Sequence, residues 1–178
     1  MYRNLLDIHT IIPYTLFMQT FIPDKAFDNS AKILDNKRLN KQILEGYQIL
    51  KVLNNPDPRA AWRNHPAAKM WEGHEQALFE YIMAMVKQAE FRGIKTDKNK
   101  ENLFSLRLQT LSNWGNGLPK WYNNKEELKR ITDSHKANLY RKDPEYYFDF
   151  AQYKAEPCCD TCQYYWPTHK ERDAAIRS

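Results

Sequence analysis

The sequence predicts an all-α protein, a compact single-domain helical bundle with irregular N- and C-terminal segments. A length of 178 residues suits one domain, and a hydrophobic fraction of 42% is enough for a buried core. There are only five glycines, and few stretches alternate between apolar and polar residues as half-buried strands do. We expect an N-terminal extension at 1–17, a helical domain at 18–155 and a cysteine-containing polar tail at 156–178.

The first predicted helix covers "AFDNSAKILDNKRLNKQILEGYQILKVLNN", residues 26–55, and Asp28 or Asn29 can cap its start. Apolar residues at helical spacing form its core-facing side: Leu39, Ile43, Leu50 and Leu53. The next stretch, "NPDPRAAWRNHP", is expected to be a loop because its three prolines oppose a helix.

A second long helix is predicted over residues 67–93, with Pro66 at its first turn and Gly93 at its stop. The charged stretch "KTDKNKEN", residues 95–102, predicts a loop. A further helix over 101–114 should end at "GNGLP", residues 115–119.

The last predicted helix is "KEELKRITDSHKANLYRK", residues 125–142, with Asn124 as its cap. Glu126 and Glu127 fall in its first turn, where negative charge suits the helix dipole. Asp143 and Pro144 should start a short aromatic helix. The last fifteen residues are polar, and we expect them to be poorly ordered.

Four polar residues share one side of the first predicted helix. Asp35, Arg38, Gln42 and Glu45 are spaced i, i+3, i+7 and i+10. The ordinary explanation is a solvated face with ion pairs. The functional explanation is that Glu45, flanked by a cation and an amide, stabilises a developing positive sugar, activates water or transfers a proton.

Two other motifs combine cations with polar or aromatic groups. In "WRNHP", residues 62–66, Arg63 and His65 stand at a helix entry and could hold a phosphate, although capping beside a buried tryptophan is the common alternative. In "SHKANLYRKDPEYY", residues 134–147, cations alternate with tyrosines. This pattern suits phosphates and bases, or else a basic helix end against a tyrosine-rich core edge.

Taken together and in this order, the motifs resemble a known family. "LDNKRLNKQILEGYQIL", "WRNHPAAKMW", "FRGI" and "SHKANLYRKDPEYY" are similar to the pyrimidine-dimer DNA glycosylases of the phage endonuclease V type. The divergent bacterial and phage branch of that family tends to begin with "MQTF", which here is residues 18–21. The resemblance covers roughly residues 18–153.

The resemblance implies a helical fold of the endonuclease V type that kinks duplex DNA and extrudes a base. It assigns the central catalytic carboxylate to Glu45. It also implies a set of DNA contacts: Arg38, Lys41, Gln42, Arg63, His65, His135, Asn138, Arg141 and Lys142. The base removed would be a pyrimidine, either an ultraviolet dimer or a hypermodified base.

The chain departs from the best-known members at its N-terminus. Those proteins use the α-amino group of their first residue as a nucleophile. An α-amine is suited to this role because its pKa is about 8, so part of it is unprotonated at neutral pH. Here 17 residues precede "MQTF". Two mechanisms remain open: Glu45 activates water in a monofunctional glycosylase, or a lysine such as Lys41 replaces the amine and adds lyase activity. Translation from Met18 is a further alternative.

The cysteines, all within residues 158–162, do not form a disulfide framework. Cys159 and Cys162 have C-x-x-C spacing, but a structural zinc site usually needs a second such pair, so we predict neither metal nor cofactor. No stretch reaches the roughly 18 apolar residues of a membrane span, so we expect no membrane association. Without a disulfide framework, a reducing cytoplasm is the simplest setting. We expect a monomer, in a bacterial or phage-infected cell.

The net charge of +5 agrees with double-stranded DNA as partner without requiring it. Two alternatives to a glycosylase stay open at this stage. One is a DNA-binding module without activity, which would have no use for a carboxylate beside phosphates. The other is a nucleotide-modifying enzyme on the same scaffold, which would show no salt-dependent affinity for duplexes.

Overall fold

The computed structural model describes residues 18–153 and 164–167. Every regular element in these ranges is helical, which confirms the all-α class. The α-helices are α1 (Phe27–Ile33), α2 (Asn36–Leu53), α3 (Pro66–Lys69), α4 (Glu75–Phe91), α5 (Asp97–Thr110), α6 (Lys120–Asn123) and α7 (Lys125–Lys142). Two 3₁₀ helices, Leu111–Asn113 and Phe148–Tyr153, complete the set.

The first predicted helix is two helices, and the expected cap at Asp28 or Asn29 is wrong for both, since Ala26 precedes α1 and Asp35 precedes α2. Leu34 is extended, with a ψ of 137°, and it separates α1 from α2. The side chain of Asp35 then accepts a hydrogen bond of 3.0 Å from the backbone N–H of Arg38 and caps α2. The predicted core face of α2 is confirmed, because all four of its residues are buried.

The second predicted helix is also interrupted. Pro66 starts α3 as expected, but the chain leaves the helix before α4 begins at Glu75. Gly73, with a φ of +77°, makes the turn. The carboxylate of Glu75 accepts from the N–H groups of Gly73 at 3.1 Å and Gly115 at 2.8 Å, which joins this turn to the loop after α5. Helix α4 ends at Phe91, two residues before Gly93.

Later elements differ in detail from the prediction. Helix α5 begins at Asp97, inside the stretch expected to be a loop, and α6 has no counterpart in the prediction. The Asn124 cap is confirmed, since its side chain accepts from Glu126 N and Glu127 N at 3.1 and 3.2 Å. A 3₁₀ helix takes the place of the short aromatic helix.

The core forms where α2 packs against α4. Gly46 of α2 lies directly on Ile82 of α4, so closely that a Cβ at position 46 would be 2.6 Å from Ile82 Cγ1. This close approach places the middle of α2, including its polar side, inside the molecule.

Residues 18–22 run through the interior without regular structure, and each of them is buried. Phe21 N donates to the side chain of Gln42 at 2.7 Å, and Ile22 N donates to Nδ1 of His135 at 2.8 Å. The hydroxyl of Tyr81 donates to Phe21 O at 2.9 Å. One short segment therefore joins α2, α4 and α7 through its backbone.

Part of the predicted tail belongs to the core. Tyr164, Tyr165 and Trp166 are 7%, 3% and 6% exposed, and Tyr165 N donates to Ser134 Oγ at 2.7 Å. The expectation of poor order is therefore wrong for residues 164–167. The predicted extension at 1–17, the three cysteines and residues 168–178 lie outside the described residues.

Among the residues described, no helix combines the length and apolar character needed to cross a bilayer.

Candidate active site

Glu45 lies at the middle of α2 and is 2% exposed. Its Oε2 accepts a hydrogen bond of 3.1 Å from Gln42 Nε2. Its Oε1 is buried without a hydrogen bond to any residue of 18–153 or 164–167, and it lies 3.5 Å from the ammonium nitrogen of Lys41. A buried carboxylate with half of its hydrogen-bonding capacity unused is unfavourable for folding, which is typical of a functional group.

The surroundings of Glu45 change its acidity. Burial raises the pKa of Glu45 from 4.5 to about 7, although the nearby charge of Lys41, the amide of Gln42 and the charge of Lys142 act in the opposite direction. At neutral pH the carboxyl group is therefore present in both protonation states. It is able to give or to accept a proton there, as acid–base catalysis requires.

Gln42 fixes the position of Glu45. The side chain is fully buried, and its oxygen accepts from Phe21 N at 2.7 Å and from the hydroxyl of Tyr81 at 2.8 Å. Its amide nitrogen is then directed to Glu45. The polar side of α2 is therefore not a solvated face. At Gln42 and Glu45 it is a hydrogen-bonded network inside the fold, and Gln42 does not reach a partner.

The first turn of α2 carries a second network. Arg38 lies 2.7 Å from Asp35 and 3.3 Å from Asp143, which follows α7. The hydroxyl of Tyr147 donates to Asp35 Oδ2 at 2.6 Å. Burial would raise the pKa of Asp35, but the hydrogen bonds from Tyr147 and Arg38 and the charge of Arg38 together hold it below its usual value. These contacts fix the end of α7 against the start of α2.

Lys41 and Lys142 are the cations that face Glu45 from α2 and α7. Both side chains are exposed, and Lys142 makes no hydrogen bond or ion pair with any described residue. Partial burial and the nearby charges of Lys41 and Arg38 lower the pKa of Lys142. Repulsion among these cations favours an anion between them, and a DNA phosphate is such an anion.

Two residues of α7 that were expected to contact DNA are buried instead. His135 is fully buried and Asn138 is 2% exposed. Burial lowers the pKa of His135 to about 3, so the ring is neutral; Nδ1 accepts from Ile22 N, and Nε2 lies 3.1 Å from the amide of Gln19. Asn138 Nδ2 donates to Ser134 O at 2.8 Å. In this conformation both side chains support the site from the interior.

Arg63 and His65 have structural contacts as well. Arg63 donates to the carbonyl groups of Val52 and Leu53 at 3.3 and 3.0 Å, where α2 ends and the helix dipole favours a cation. Nδ1 of His65 accepts from Ala67 N at 3.1 Å and caps α3. Arg141, next to Lys142, is exposed at the end of α7.

Sequence reasoning missed two tyrosines beside the carboxylate. Tyr81 is fully buried, and burial followed by the charge of Glu45 raises its pKa. The same two causes raise the pKa of Tyr164. Tyr81 lies within the second predicted helix, and Tyr164 lies in the stretch expected to be poorly ordered. A buried tyrosine next to a helical apolar face offers no signal that distinguishes it from ordinary core.

No group of three or more histidine, cysteine, aspartate or glutamate side chains among residues 18–153 and 164–167 could hold a metal ion. The cysteines are outside those ranges, so the absence of a metal stays a prediction.

The comparison with protein families gives one match. Residues 18–102 fit the model described as pyrimidine dimer DNA glycosylase. A search of curated proteins and a search of solved structures each found no match. The matched range starts at the buried segment and includes α2 with Glu45, whereas α7 follows it. The resemblance seen in the motifs is thereby supported by an independent comparison, in which residues 18–102 of this chain are similar to the pyrimidine dimer DNA glycosylase family.

Proposed function

We propose that this protein is a DNA glycosylase that removes a damaged or modified pyrimidine from duplex DNA, with Glu45 as its central catalytic carboxylate. The observation that carries the proposal is the state of Glu45: it is buried and incompletely hydrogen-bonded, and its pKa is about 7. The helix that bears it lies within the range that matches the glycosylase family.

Base removal at this site requires extrusion of the nucleotide, because the glycosidic bond is shielded within the stack. The exposed cations Lys41 and Lys142 are suited to hold the flanking phosphates, and Arg141 directly precedes Lys142 in α7. Arg38 is already paired with Asp35 and Asp143, so its role is to hold the start of α2 and the end of α7 together.

Glu45 has two successive tasks in the proposed reaction. As the bond between sugar and base breaks, a carboxylate beside C1′ stabilises the positive charge that develops on the sugar. The ionised form then takes a proton from water as the water oxygen bonds to C1′. Glu45 returns this proton to solvent, and the departing base takes one from solvent. Gln42 keeps the carboxylate oriented, because its own amide is fixed by Phe21 and Tyr81.

An amine mechanism would leave a different product. Attack of a lysine nitrogen on C1′ gives an imine with the opened sugar after the base leaves, and strand cleavage follows. Lys41 lies 3.5 Å from Glu45, and Lys142, whose pKa is lowered, is a second amine that faces Glu45. We propose the water mechanism, in which borohydride traps no covalent complex between protein and damaged DNA. A trapped complex would refute it.

Glu45→Gln tests the proposal. The substituted amide keeps the acceptor for Gln42 but neither ionises nor transfers a proton, so base release should fall by about 100-fold or more. Duplex binding should be unchanged or tighter, since a negative charge near phosphates is removed. The assay counts abasic sites in duplexes that carry a thymine dimer or a modified pyrimidine, and Glu80→Gln, an exposed change on α4, is the matched control. Undiminished release by Glu45→Gln would refute the assignment.

A further inference from the structure

Trp62 has an unusual backbone conformation. Among the described residues other than glycine it alone has a positive φ, of 72°. A bulky side chain in the left-handed region is strained, and such strain is often kept at functional sites. The indole is also 39% exposed, so burial in the core does not account for the residue either.

The loop around Trp62 is firmly attached to the helix that carries Glu45. His65 N donates to Trp62 O at 3.0 Å, and Arg63 N donates to Ala60 O at 3.1 Å. The guanidinium group of Arg63 binds the carbonyl groups at the end of α2. Trp62 therefore has a fixed position relative to α2, although it lies in a loop.

The ring of Trp62 has no polar anchor. The indole N–H groups of Trp71, Trp114 and Trp121 each donate a hydrogen bond. Trp62 makes none with any residue in the described ranges. Arg59, in the same loop, has a side chain that is 89% exposed, and its Nε lies 3.4 Å from Asp57 Oδ1. An exposed aromatic ring in a loop that also carries an exposed guanidinium group suits a nucleic acid, whose bases stack and whose phosphates are anions.

A series of ring contacts leads from Trp62 to the surroundings of Glu45. The ring centroids are 5.4 Å apart for Trp62 and His65, 6.0 Å for His65 and Trp166, and 5.7 Å for Trp166 and Tyr164. Tyr164 is close enough to Glu45 for the carboxylate charge to raise its pKa further than burial does alone. The exposed ring and the buried carboxylate are thus two ends of one aromatic cluster.

We propose that Trp62 inserts into the base stack of duplex DNA and fills the space left by the nucleotide that is extruded toward Glu45. The inference rests on the proposed function, because an enzyme that acts on a base must open the stack. An inserted apolar side chain offsets part of the stacking lost on extrusion. The hydrogen bonds of the loop keep the ring in position, and the largely buried aromatic cluster behind it connects the ring with the surroundings of the carboxylate.

The test uses two variants of the full chain. Trp62→Gly removes the ring, and glycine adopts a φ of +72° without strain, so the loop is expected to keep its conformation. Trp62→Phe keeps an aromatic ring of smaller area. Phe91→Ala, which removes a ring 85% exposed at the end of α4, is the matched control. Thermal unfolding of each variant checks that it is folded.

The first measurement is the fluorescence of 2-aminopurine placed next to a thymine dimer in a duplex. Wild-type protein should raise the signal several-fold as the stack opens. Trp62→Gly should lose at least four-fifths of the rise, and Trp62→Phe and Phe91→Ala should keep most of it. An unchanged rise with Trp62→Gly, or no rise with wild-type protein, whether or not the duplex is bound, would overturn the inference.

The second measurement separates this inference from the proposed function. Base release by Trp62→Gly should fall at least 10-fold on the duplex but stay within about 3-fold of wild type on the same damaged strand without its complement. Equal losses on both substrates would mean a structural role for Trp62. A fluorescence rise that depends on Trp62, without base release by wild-type protein, would leave the inference standing and refute the glycosylase.

Discussion

At the scale of single residues, the conformation that makes Glu45 useful also opposes folding. A carboxylate is well solvated in the unfolded chain, whereas Oε1 of Glu45 has only a 3.5 Å contact with Lys41 in the folded protein. Catalytic carboxylates with raised pKa values are generally kept in such unfavourable surroundings. The stability of the protein should therefore depend on the charge of this one group.

The sign of this dependence of stability on pH follows from the raised pKa of Glu45. The pKa of Glu45 is about 7 in the folded protein and near 4.5 when the chain is unfolded. Below pH 4.5 the group is protonated in both states. As pH rises toward 7 the unfolded chain ionises first, so the folded state loses up to about 3 kcal/mol, and the loss is complete above pH 7.

Glu45→Gln should remove this loss. Relative to wild type, the variant should gain up to about 3 kcal/mol in free energy of unfolding between pH 4 and pH 8. Urea denaturation at several pH values measures the difference. A difference between variant and wild type that does not change with pH would show that Glu45 ionises at an ordinary pKa, and the argument for its protonation at neutral pH would fail.

The contribution of His135 makes the stability of the protein depend on pH with the opposite sign. Its pKa is about 3 in the folded protein and 6.5 ordinarily, so the buried ring stays neutral while the unfolded chain takes up a proton. The stability that the neutral ring of His135 contributes is fully present above pH 6.5, and it is lost as pH falls toward 3. The slope is about 1.4 kcal/mol per pH unit once the unfolded chain is protonated.

His135→Asn should reduce that slope. Its side-chain oxygen is able to accept the Ile22 N–H bond in place of Nδ1, although the lost ring lowers stability at every pH. The free energy of unfolding should therefore fall less steeply between pH 6 and pH 4 in the variant. Equal slopes in both proteins would mean that His135 is protonated within the fold.

At the scale of helices, the packing of α2 on α4 depends on a residue with no side chain. A Cβ at Gly46 would lie 2.6 Å from Cγ1 and 3.1 Å from Cδ1 of Ile82, and the neighbouring residue is Glu45. Any adjustment of Ile82 or of α2 at this point would be transmitted directly to the carboxylate. Gly46 thus controls both the separation of the helices and the position of the site.

Gly46→Ala should destabilise the protein by about 1–2 kcal/mol, because overpacking outweighs the better helix propensity of alanine. Ile82→Ala provides the space, so the double variant should be more stable than the sum of the two single changes predicts. Denaturation of the four proteins in the double-mutant cycle measures the coupling. Additive effects would mean that α2 and α4 relax independently of this contact.

Helix periodicity in the sequence was sufficient to predict α7 with its Asn124 cap, the start of α3 at Pro66 and the core face of α2. It could not predict the break at Leu34, because the residues on both sides continue one apolar pattern and only the capping of α2 by Asp35 separates them. The burial of His135 was equally out of reach. It depends on residues 18–22 and 164–167, which are remote in the sequence and have no helical pattern.

The same reasoning applies to the site. The spacing of polar residues on α2 made Glu45 a candidate, and the resemblance gave it the catalytic role, which stays a prediction; the family match over residues 18–102 includes the position. The spacing could not distinguish Gln42, which faces the interior, from Lys41, which faces outward, because neighbours on a helix differ only in which elements pack over them. We therefore predict a contact with DNA for Lys41 and Lys142. For Gln42, His135 and Asn138 we predict that the side chain supports the site from the interior.

At the scale of the whole molecule, the relevant property is where the positive charge lies. The net charge of +5 is modest, and many cations are already paired: Arg38 with Asp35, Lys69 with Glu72, and Lys100 with Glu90. Lys142 has no such partner among the described residues, and Lys41 is 52% exposed beside a carboxyl group that is partly protonated at neutral pH. Lys41 and Lys142 are therefore available to attract a polyanion beside Glu45.

This distribution predicts how duplex affinity responds to salt. Each phosphate that a cation neutralises releases a counterion, so the logarithm of the association constant falls with the logarithm of salt concentration with a slope near −0.9 per contact. Lys41→Gln and Lys142→Gln should each make the slope shallower by about one. Lys87→Gln should leave the slope unchanged, because Lys87 on α4 is 78% exposed and is paired with Asp28 of α1 at 3.9 Å. Titration of an undamaged duplex at several salt concentrations measures the slopes, and equal reductions for all three variants would mean that the charge acts as a diffuse field instead of a site.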